Sequence, residues 1–115
     1  VRRRIALTLL LAACGTDEER FPEQFAKDYC AELKACDEDA YFEVYREGTP
    51  QCRDETSTEV RAQAFVSDDR VCKWVQENGE ECLEELAVAT CDDVESPLWK
   101  QACISAWDCV TLVER

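Results

Sequence analysis

The chain is 115 residues long and carries 26 acidic residues against 13 basic ones, with no histidine, for a formal charge of −13. So acidic a chain, with no basic patch beyond its first few residues, is excluded as a nucleic-acid binder, and the lack of histidine excludes Ser-His-Asp and Cys-His catalysis. Nine cysteines in so short a sequence point instead to a small domain braced by disulfides.

Arg2, Arg3 and Arg4 lead an apolar stretch from Ile5 to Ala13, broken only by Thr8, which ends in small residues before Cys14. This is the three-part form of a secretory signal, and it reaches only about half the length that a bilayer-spanning helix needs. Leu11-Ala12-Ala13-Cys14 resembles the lipobox of bacterial lipoproteins. The resemblance covers the first 14 or so residues. It implies that residues 1–13 are a cleaved signal helix and that Cys14 takes a diacylglyceryl group as the mature N-terminus. Two or three acyl chains hold a protein durably where one does so only marginally, so the expected location is the cell envelope, with the membrane reached through lipid. Gly15 stands where aspartate marks inner-membrane retention in enteric lipoproteins, which favours the outer membrane. Val1, in a chain without methionine, is read as an alternative start. Loss of residues 1–13 takes three of the 13 basic residues and leaves ten against 26 acidic ones, moving the formal charge from −13 to −16.

Residues 14–20 are polar and acidic and read as a lipidated tether, with one cysteine-rich helical domain following over residues 21–115. Phe25, Tyr29, Leu33 and Cys36, with Ala26 and Cys30 beside them, form an apolar stripe at helical spacing, and Pro22 suits a first turn. A second helix is expected over Asp39 to Glu47, capped by Asp37 or Asp39 and ended by Gly48, with Thr49-Pro50 as a turn. Thr56-Ser57-Thr58-Glu59 has the form of a capping box, so a third helix is expected from there through Val60, Ala64 and Phe65 until Ser67-Asp68-Asp69. Arg70 to Thr90 is the longest periodic run, with Val71, Trp74, Val75, Cys82, Leu86 and Ala89 on one side. Asn78-Gly79 should kink it or divide it into two abutting helices. Glu80, Glu81, Glu84 and Glu85 fall on its wet side. Asp92-Asp93-Val94-Glu95 reads as a loop and Ser96-Pro97 as the start of a final helix carrying Leu98, Trp99, Ala102, Cys103, Ala106 and Trp107. No segment alternates with period two. The expected fold is therefore all-α, a small disulfide-stapled bundle of four to five short helices after the cleaved signal.

With Cys14 given to lipid, eight cysteines remain, an even number that suits four bridges in an exported protein. Zinc wants ligand pairs with two to four residues between them, and the shortest spacing here has five intervening residues, so no metal and no cofactor is expected. Cys-x-x-Cys is absent, which removes a thioredoxin-like role. Cys30 and Cys36, like Cys103 and Cys109, are six apart, too far along and around a regular helix to join each other. The expected pairs are Cys30–Cys82, Cys36–Cys52, Cys72–Cys109 and Cys91–Cys103. Tyr29-Cys30, Cys36-Asp37, Cys82-Leu83 and Cys91 together resemble the small cysteine-rich lipoproteins of myxobacteria and related deltaproteobacteria. That resemblance implies origin and architecture and brings no functional residue with it.

Asp37-Glu38-Asp39 lacks the spaced ligands, the glycine and the closing glutamate of a calcium loop, so helix capping accounts for it. Carboxylates are so abundant that their pairing carries no sign of glycosidase geometry. No catalytic residue emerges and the chain is read as a non-enzyme. Tyr41, Phe42 and Tyr45 form the candidate binding surface, because aromatic residues anchor interfaces, although a domain this small needs aromatic residues, including Trp74, Trp99 and Trp107, for its core. The expected function is a membrane-tethered interaction module for a protein or basic peptide, with a structural surface coat or a small inhibitor as alternatives.

Overall fold

The computed structural model describes residues 16–64, 69–95, 103 and 105–112. In chain order these form α1 (Phe21–Cys36), α2 (Glu38–Val44), α3 (Thr49–Ala62), β1 (Arg70–Trp74), α4 (Gln76–Ala87), α5 (Cys91–Glu95) and β2 (Trp107–Thr111). The domain is mostly helical and carries four disulfides, but a two-stranded antiparallel sheet corrects the all-α expectation. Cys14 lies outside the described residues, as do Phe65, Ser96-Pro97, Leu98, Trp99 and Ala102.

α1 forms where the stripe of apolar residues placed it. Phe21, Phe25, Ala26 and Cys30 are buried along one face, Pro22 occupies the first turn and Lys34 sits in the last, where a cation meets the negative helix end. Asp37 leaves the helical region at φ −158°. Its carboxylate accepts the backbone N–H of Ala40 at 3.1 Å, so one residue ends α1 and caps α2.

α3 begins seven residues earlier than the expected capping box. Gly48 at φ 91° adopts a conformation that L-residues rarely reach, and it directs the chain into a helix with Pro50 in the first turn. Thr49-Pro50 is thus a helix start instead of a turn. Thr56 and Ser57, expected to cap, are buried in the helix interior. Ser57 satisfies its hydroxyl by donating to the Asp54 carbonyl at 3.2 Å.

The run from Arg70 also departs from expectation. Arg70–Trp74 is a strand paired antiparallel with β2 so that Cys72 faces Cys109 and Trp74 faces Trp107. Burial alternates along it, with Val71 and Lys73 exposed between half-buried neighbours, a five-residue alternation too brief to stand out beside the longer helical period of α4. The Asn78-Gly79 pair neither kinks nor divides a helix, because α4 starts only at Gln76. Gly79 lies against the Trp74 indole: a Cβ there would sit 2.3 Å from the ring carbon Cη2. Glu81, Glu84 and Glu85 are exposed and Glu80 is half-buried, its carboxylate accepting from Gln76 Nε2 at 2.8 Å. The expected loop at Asp92-Asp93-Val94-Glu95 is the short helix α5. Thr90 and Asp93 cap it reciprocally, with Thr90 N–H donating to Asp93 Oδ2 at 3.0 Å and Asp93 N–H to Thr90 Oγ1 at 3.2 Å. Trp107, expected in a last helix, opens β2.

The main core joins Phe21 and Phe25 of α1, Val60 of α3, Cys82 and Leu86 of α4, and Cys103, Ala106 and Trp107 near the C-terminus. Phe21, Trp74 and Trp107 meet there with ring centroids 5.1 to 5.6 Å apart; Phe21 is fully buried, which for such a side chain contributes about 1.5–3 kcal/mol, and Trp74 packs half-buried against it. A second cluster of Cys30, Tyr41 and Cys52 fixes α2 against α1 and α3. The disulfides are Cys30–Cys52, Cys36–Cys91, Cys72–Cys109 and Cys82–Cys103. The expected pairs Cys30–Cys82, Cys36–Cys52 and Cys91–Cys103 are therefore corrected. α3 begins early enough to place Cys52 beside Cys30 in the second cluster. Cys36, at the end of α1, is left to meet α5, while Cys82 faces Cys103 across the main core. The tether also changes. Thr16 is buried, its carbonyl accepts from Gln76 Nε2 at 3.0 Å, and Glu18 accepts from the Trp107 indole N–H at 3.2 Å. Residues 16–20 are part of the folded domain.

Candidate functional site

The candidate surface at Tyr41, Phe42 and Tyr45 divides in the structure. Tyr41 is a core residue, 3% exposed, whose hydroxyl donates to Thr49 Oγ1 at 3.1 Å. Its ring packs edge-on to Phe42 at 5.2 Å and tilted to Tyr45 at 5.3 Å. Phe42 is the exposed member at 41%, with the Lys34 ammonium 5.6 Å from its ring centre, a cation–π contact made within the domain. Tyr45, the C-cap of α2, is half-buried against Cys30, Tyr41 and Cys52 and interacts with Glu55, Thr56 and Glu59 of α3. A contiguous aromatic patch is therefore not what these three residues form.

A different feature lies in the seam between α1 and α3. Phe25 and Tyr29 are one helical turn apart on α1, and their rings stack at 5.3 Å. Thr56, Glu59, Val60 and Gln63 recur at three- and four-residue intervals along α3 and its C-cap, which places them on one side of that helix. Together with Phe21 and Cys103 they line a cavity of about 100 Å³. Its floor is apolar and buried, from Phe21, Phe25, Val60 and Cys103. Glu59 is exposed and brings a carboxylate to the cavity lining. The amide oxygen of Gln63 is buried without a hydrogen-bond partner, a state that costs a group of this kind about 1–3 kcal/mol.

The electrostatics of this seam are one-sided. Burial pushes the Tyr45 phenol above its ordinary range, and Tyr29, Glu55 and Glu59 push it further, while a hydrogen bond with Thr56 works the other way. Every charged neighbour named in that balance is an acid. Arg61, the basic residue beside this stretch of α3, is turned to Glu23 and to the Ser57 hydroxyl at 3.3 Å. Elsewhere on α1, burial raises the Asp28 carboxyl above its ordinary value, partly offset by Lys27.

A larger, open cleft of about 680 Å³ runs along the ribbon, lined by Gln63, Arg70, Asn78, Ser105, Trp107 and Cys109 among others. Two of its polar side chains are engaged in holding the fold, and Gln63 lines this cleft as well as the smaller cavity. Arg70 donates to the Gln63 carbonyl at 2.8 Å and Asn78 Nδ2 to the Ser105 carbonyl at 2.9 Å. Among the described residues no three His, Cys, Asp or Glu side chains converge as metal donors, and no helix is long and apolar enough to cross a membrane. Sequence reasoning missed Glu59 and Gln63 as site residues. Glu59 read as the partner of a cap, and the signal that could have found them is the Glu55, Thr56, Glu59, Gln63 spacing, which becomes visible once the helix is started at Thr49. In comparison with known proteins, no family model matches the chain, and no curated protein or solved structure does either.

Proposed function

We propose that this chain is an envelope lipoprotein, tethered through Cys14, whose domain acts as a non-catalytic interaction module for a basic protein or peptide. The observation that supports the reading is the cysteine bookkeeping: all eight cysteines after Cys14 pair among themselves. Four disulfides suit an exported domain, and an odd cysteine in the setting of Leu11-Ala12-Ala13-Cys14 is left for another chemistry. A rigid scaffold lowers the entropy cost of binding, and the excess of 26 acidic over 13 basic residues attracts cationic partners and speeds their encounter.

The location is tested by Cys14→Ser, which should abolish processing or release the protein from the membrane fraction. A substituted protein that is normally cut and still membrane-bound removes the lipid anchor from the reading. The partner is tested by proximity cross-linking on intact cells of the source organism. Recovery of a reproducible basic protein is the expected outcome, and recovery of none removes the interaction module in favour of a surface coat.

A further inference from the structure

We propose that the Cys72–Cys109 bridge is a site of thiol–disulfide exchange, opened by a small-molecule thiol that attacks Cys109 Sγ from the ribbon cleft beside the Arg70 guanidinium. The proposal goes beyond the interaction reading and does not depend on it.

The strand register sets the position of this bridge. β1 and β2 place Cys72 directly opposite Cys109. At one end of the ribbon the Val75 N–H donates to the Ala106 carbonyl at 2.8 Å, and at the other the Leu112 N–H donates to the Asp69 carbonyl at 2.6 Å. Hydrogen-bonded and non-hydrogen-bonded pairs alternate along an antiparallel ladder, so counting inward from either end puts Cys72 and Cys109 on a non-hydrogen-bonded pair. Such pairs hold their Cα atoms about 4.5 Å apart, at the short limit of the roughly 4.4–6.8 Å that disulfides span. Here the separation is 4.0 Å, against 4.7 to 6.1 Å in the other three bridges. A bridge held outside its preferred span is more reducible.

The surroundings supply access and charge. Cys109 lines the open cleft of about 680 Å³, a volume within the roughly 300–1,000 Å³ of small-molecule sites, whereas Cys30, Cys52, Cys82 and Cys103 are buried. Arg70 Nη2 lies 3.2 Å from Cys109 Sγ, and a guanidinium beside a sulfur favours thiolate over thiol. Asp108 also lines the cleft, but it stands opposite Lys73 in the ribbon. The Cys36–Cys91 bridge is the more exposed of the two outer ones, with Cys91 at the surface. Its neighbours are acids, Asp37 after Cys36 and Asp92 and Asp93 after Cys91, which repel an incoming thiolate.

The exchange runs in two steps. A thiolate entering by the cleft attacks Cys109 Sγ, where a new S–S bond forms as the Cys72–Cys109 bond breaks. Cys72 leaves with the electron pair as a thiolate and takes a proton from water. A second thiolate attacks the small-molecule sulfur of this mixed disulfide and expels Cys109 as a thiolate beside Arg70. The bridge is thereby reduced by two electrons while two thiols are oxidised to one small-molecule disulfide. Cys82–Cys103 keeps the chain just ahead of β2 fastened to α4, so the strands stay close enough for the bridge to re-form.

The test uses the oxidised full chain carrying Cys14→Ser, so that no other thiol is present, incubated with reduced glutathione in the absence of denaturant. Freed thiols are alkylated at intervals and mapped by mass spectrometry. Cys72 and Cys109 should be the first pair labelled, and the transient glutathione adduct should map to Cys109. Arg70→Gln should slow the opening of this bridge about tenfold, and Arg70→Lys, which keeps the charge, should slow it less. The sign separates chemistry from scaffolding. Arg70 also donates to the Gln63 carbonyl, and if holding the ribbon were its sole role, its removal would loosen the strands and speed the opening. The proposal is overturned if Cys36–Cys91 opens first, if the adduct sits on Cys72, if Arg70→Gln opens as fast as the parent or faster, or if Arg70→Lys is slowed as much as Arg70→Gln. Should Arg70→Gln fail to fold, the order of opening and the position of the adduct in the parent chain decide alone.

Discussion

Gly79→Ala is a substitution on which helix propensity and tertiary packing disagree in sign. Gly79 lies in the first part of α4, and alanine is about 0.8–1 kcal/mol better than glycine in a helix interior, so propensity alone forecasts a gain. In the folded domain a Cβ at this position would stand 2.3 Å from Trp74 Cη2 and 2.7 Å from Cζ2. The indole cannot give way cheaply. It packs against Phe21 with centroids 5.3 Å apart and Trp107 with centroids 5.1 Å apart, and its N–H donates to Gln76 Oε1 at 2.7 Å. Overpacking of this kind costs about 1–3 kcal/mol, which outweighs the propensity gain at most of that range. The net expectation is a loss of about 1 kcal/mol, the middle of the difference between the two ranges, and so a fall in Tm of roughly 4–8 °C in a domain of this size. Thermal unfolding followed by near-ultraviolet circular dichroism, with disulfides intact, reports both the stability and the tryptophan environment. A Tm equal to or above that of the parent, with an unchanged near-ultraviolet band, refutes the close approach of Trp74 to α4.

Removing the buried Cys30–Cys52 bridge by the double change Cys30→Ala and Cys52→Ala should cost about 3 kcal/mol for a loop of this length, read as a shift in denaturant midpoint; an unchanged midpoint would mean that α1 and α3 are held by packing alone. Asp28→Asn should stabilise the domain at neutral pH. Burial raises the folded carboxyl above its ordinary value, so the charged form is disfavoured in the folded state, the penalty is fully present above the folded pKa, and it fades as pH falls through that value toward the unfolded one. A Tm difference between Asp28→Asn and parent that persists unchanged into strong acid would contradict this cause.

The helices with a long apolar stripe were legible in the sequence, and the elements whose signals are short or non-local were not. α1 could be read from Phe25, Tyr29 and Leu33 and from Pro22, because stripe, start and length agree. α2 was legible through Asp37, whose capping oxygen is a local feature. The sequence points to too late a start for α3 because Thr56-Ser57-Thr58-Glu59 has the composition of a cap, whereas the decisive start is a positive φ at Gly48, a glycine that in sequence suits the end of the preceding helix equally well. β1 was hidden because its partner β2 follows more than thirty residues later in the register that sets Trp74 against Trp107, so nothing local distinguishes Arg70–Trp74 from the α4 period it abuts. The disulfides follow the same rule. That Cys30 and Cys36 do not bridge each other was legible from helix geometry, since both lie on α1, whereas Cys109 lies on β2, where that argument does not apply; the partners of Cys30, Cys36, Cys82 and Cys91 depend on which elements lie side by side. The seam cavity depends on α3 beginning at Thr49, so it was out of reach for the same reason.

The segment from Thr16 to Arg20 yields the sharpest contrast between composition and structure. Its residues are polar and acidic and would suit a mobile tether, yet Thr16 is 6% exposed and three kinds of bond hold the segment down. Gln76 donates to the Thr16 carbonyl, the Trp107 indole donates to Glu18, and the Phe21 N–H donates to the Asp17 carbonyl at 2.9 Å where α1 needs its first donors satisfied. A neutral bond contributes about 0.5–1.5 kcal/mol and one to a charged group about 1.5–3 kcal/mol, so the segment should be worth about 2 kcal/mol after discounting the exposed carboxylate. A chain starting at Thr16 should therefore melt roughly 8–16 °C above one starting at Phe21. Equal melting temperatures would show that residues 16–20 behave as a tether after all. If the difference is found, the consequence for an anchored protein is geometric. Only Gly15 lies between Cys14 and Thr16, and an extended chain spans at most about 3.3–3.6 Å per residue, so a lipid on Cys14 would hold the backbone of Thr16, to which Gln76 is bonded, within about 7 Å of the Cys14 backbone. The domain would then stand on the bilayer by the end that carries Trp74 and Trp107, with no slack to turn over.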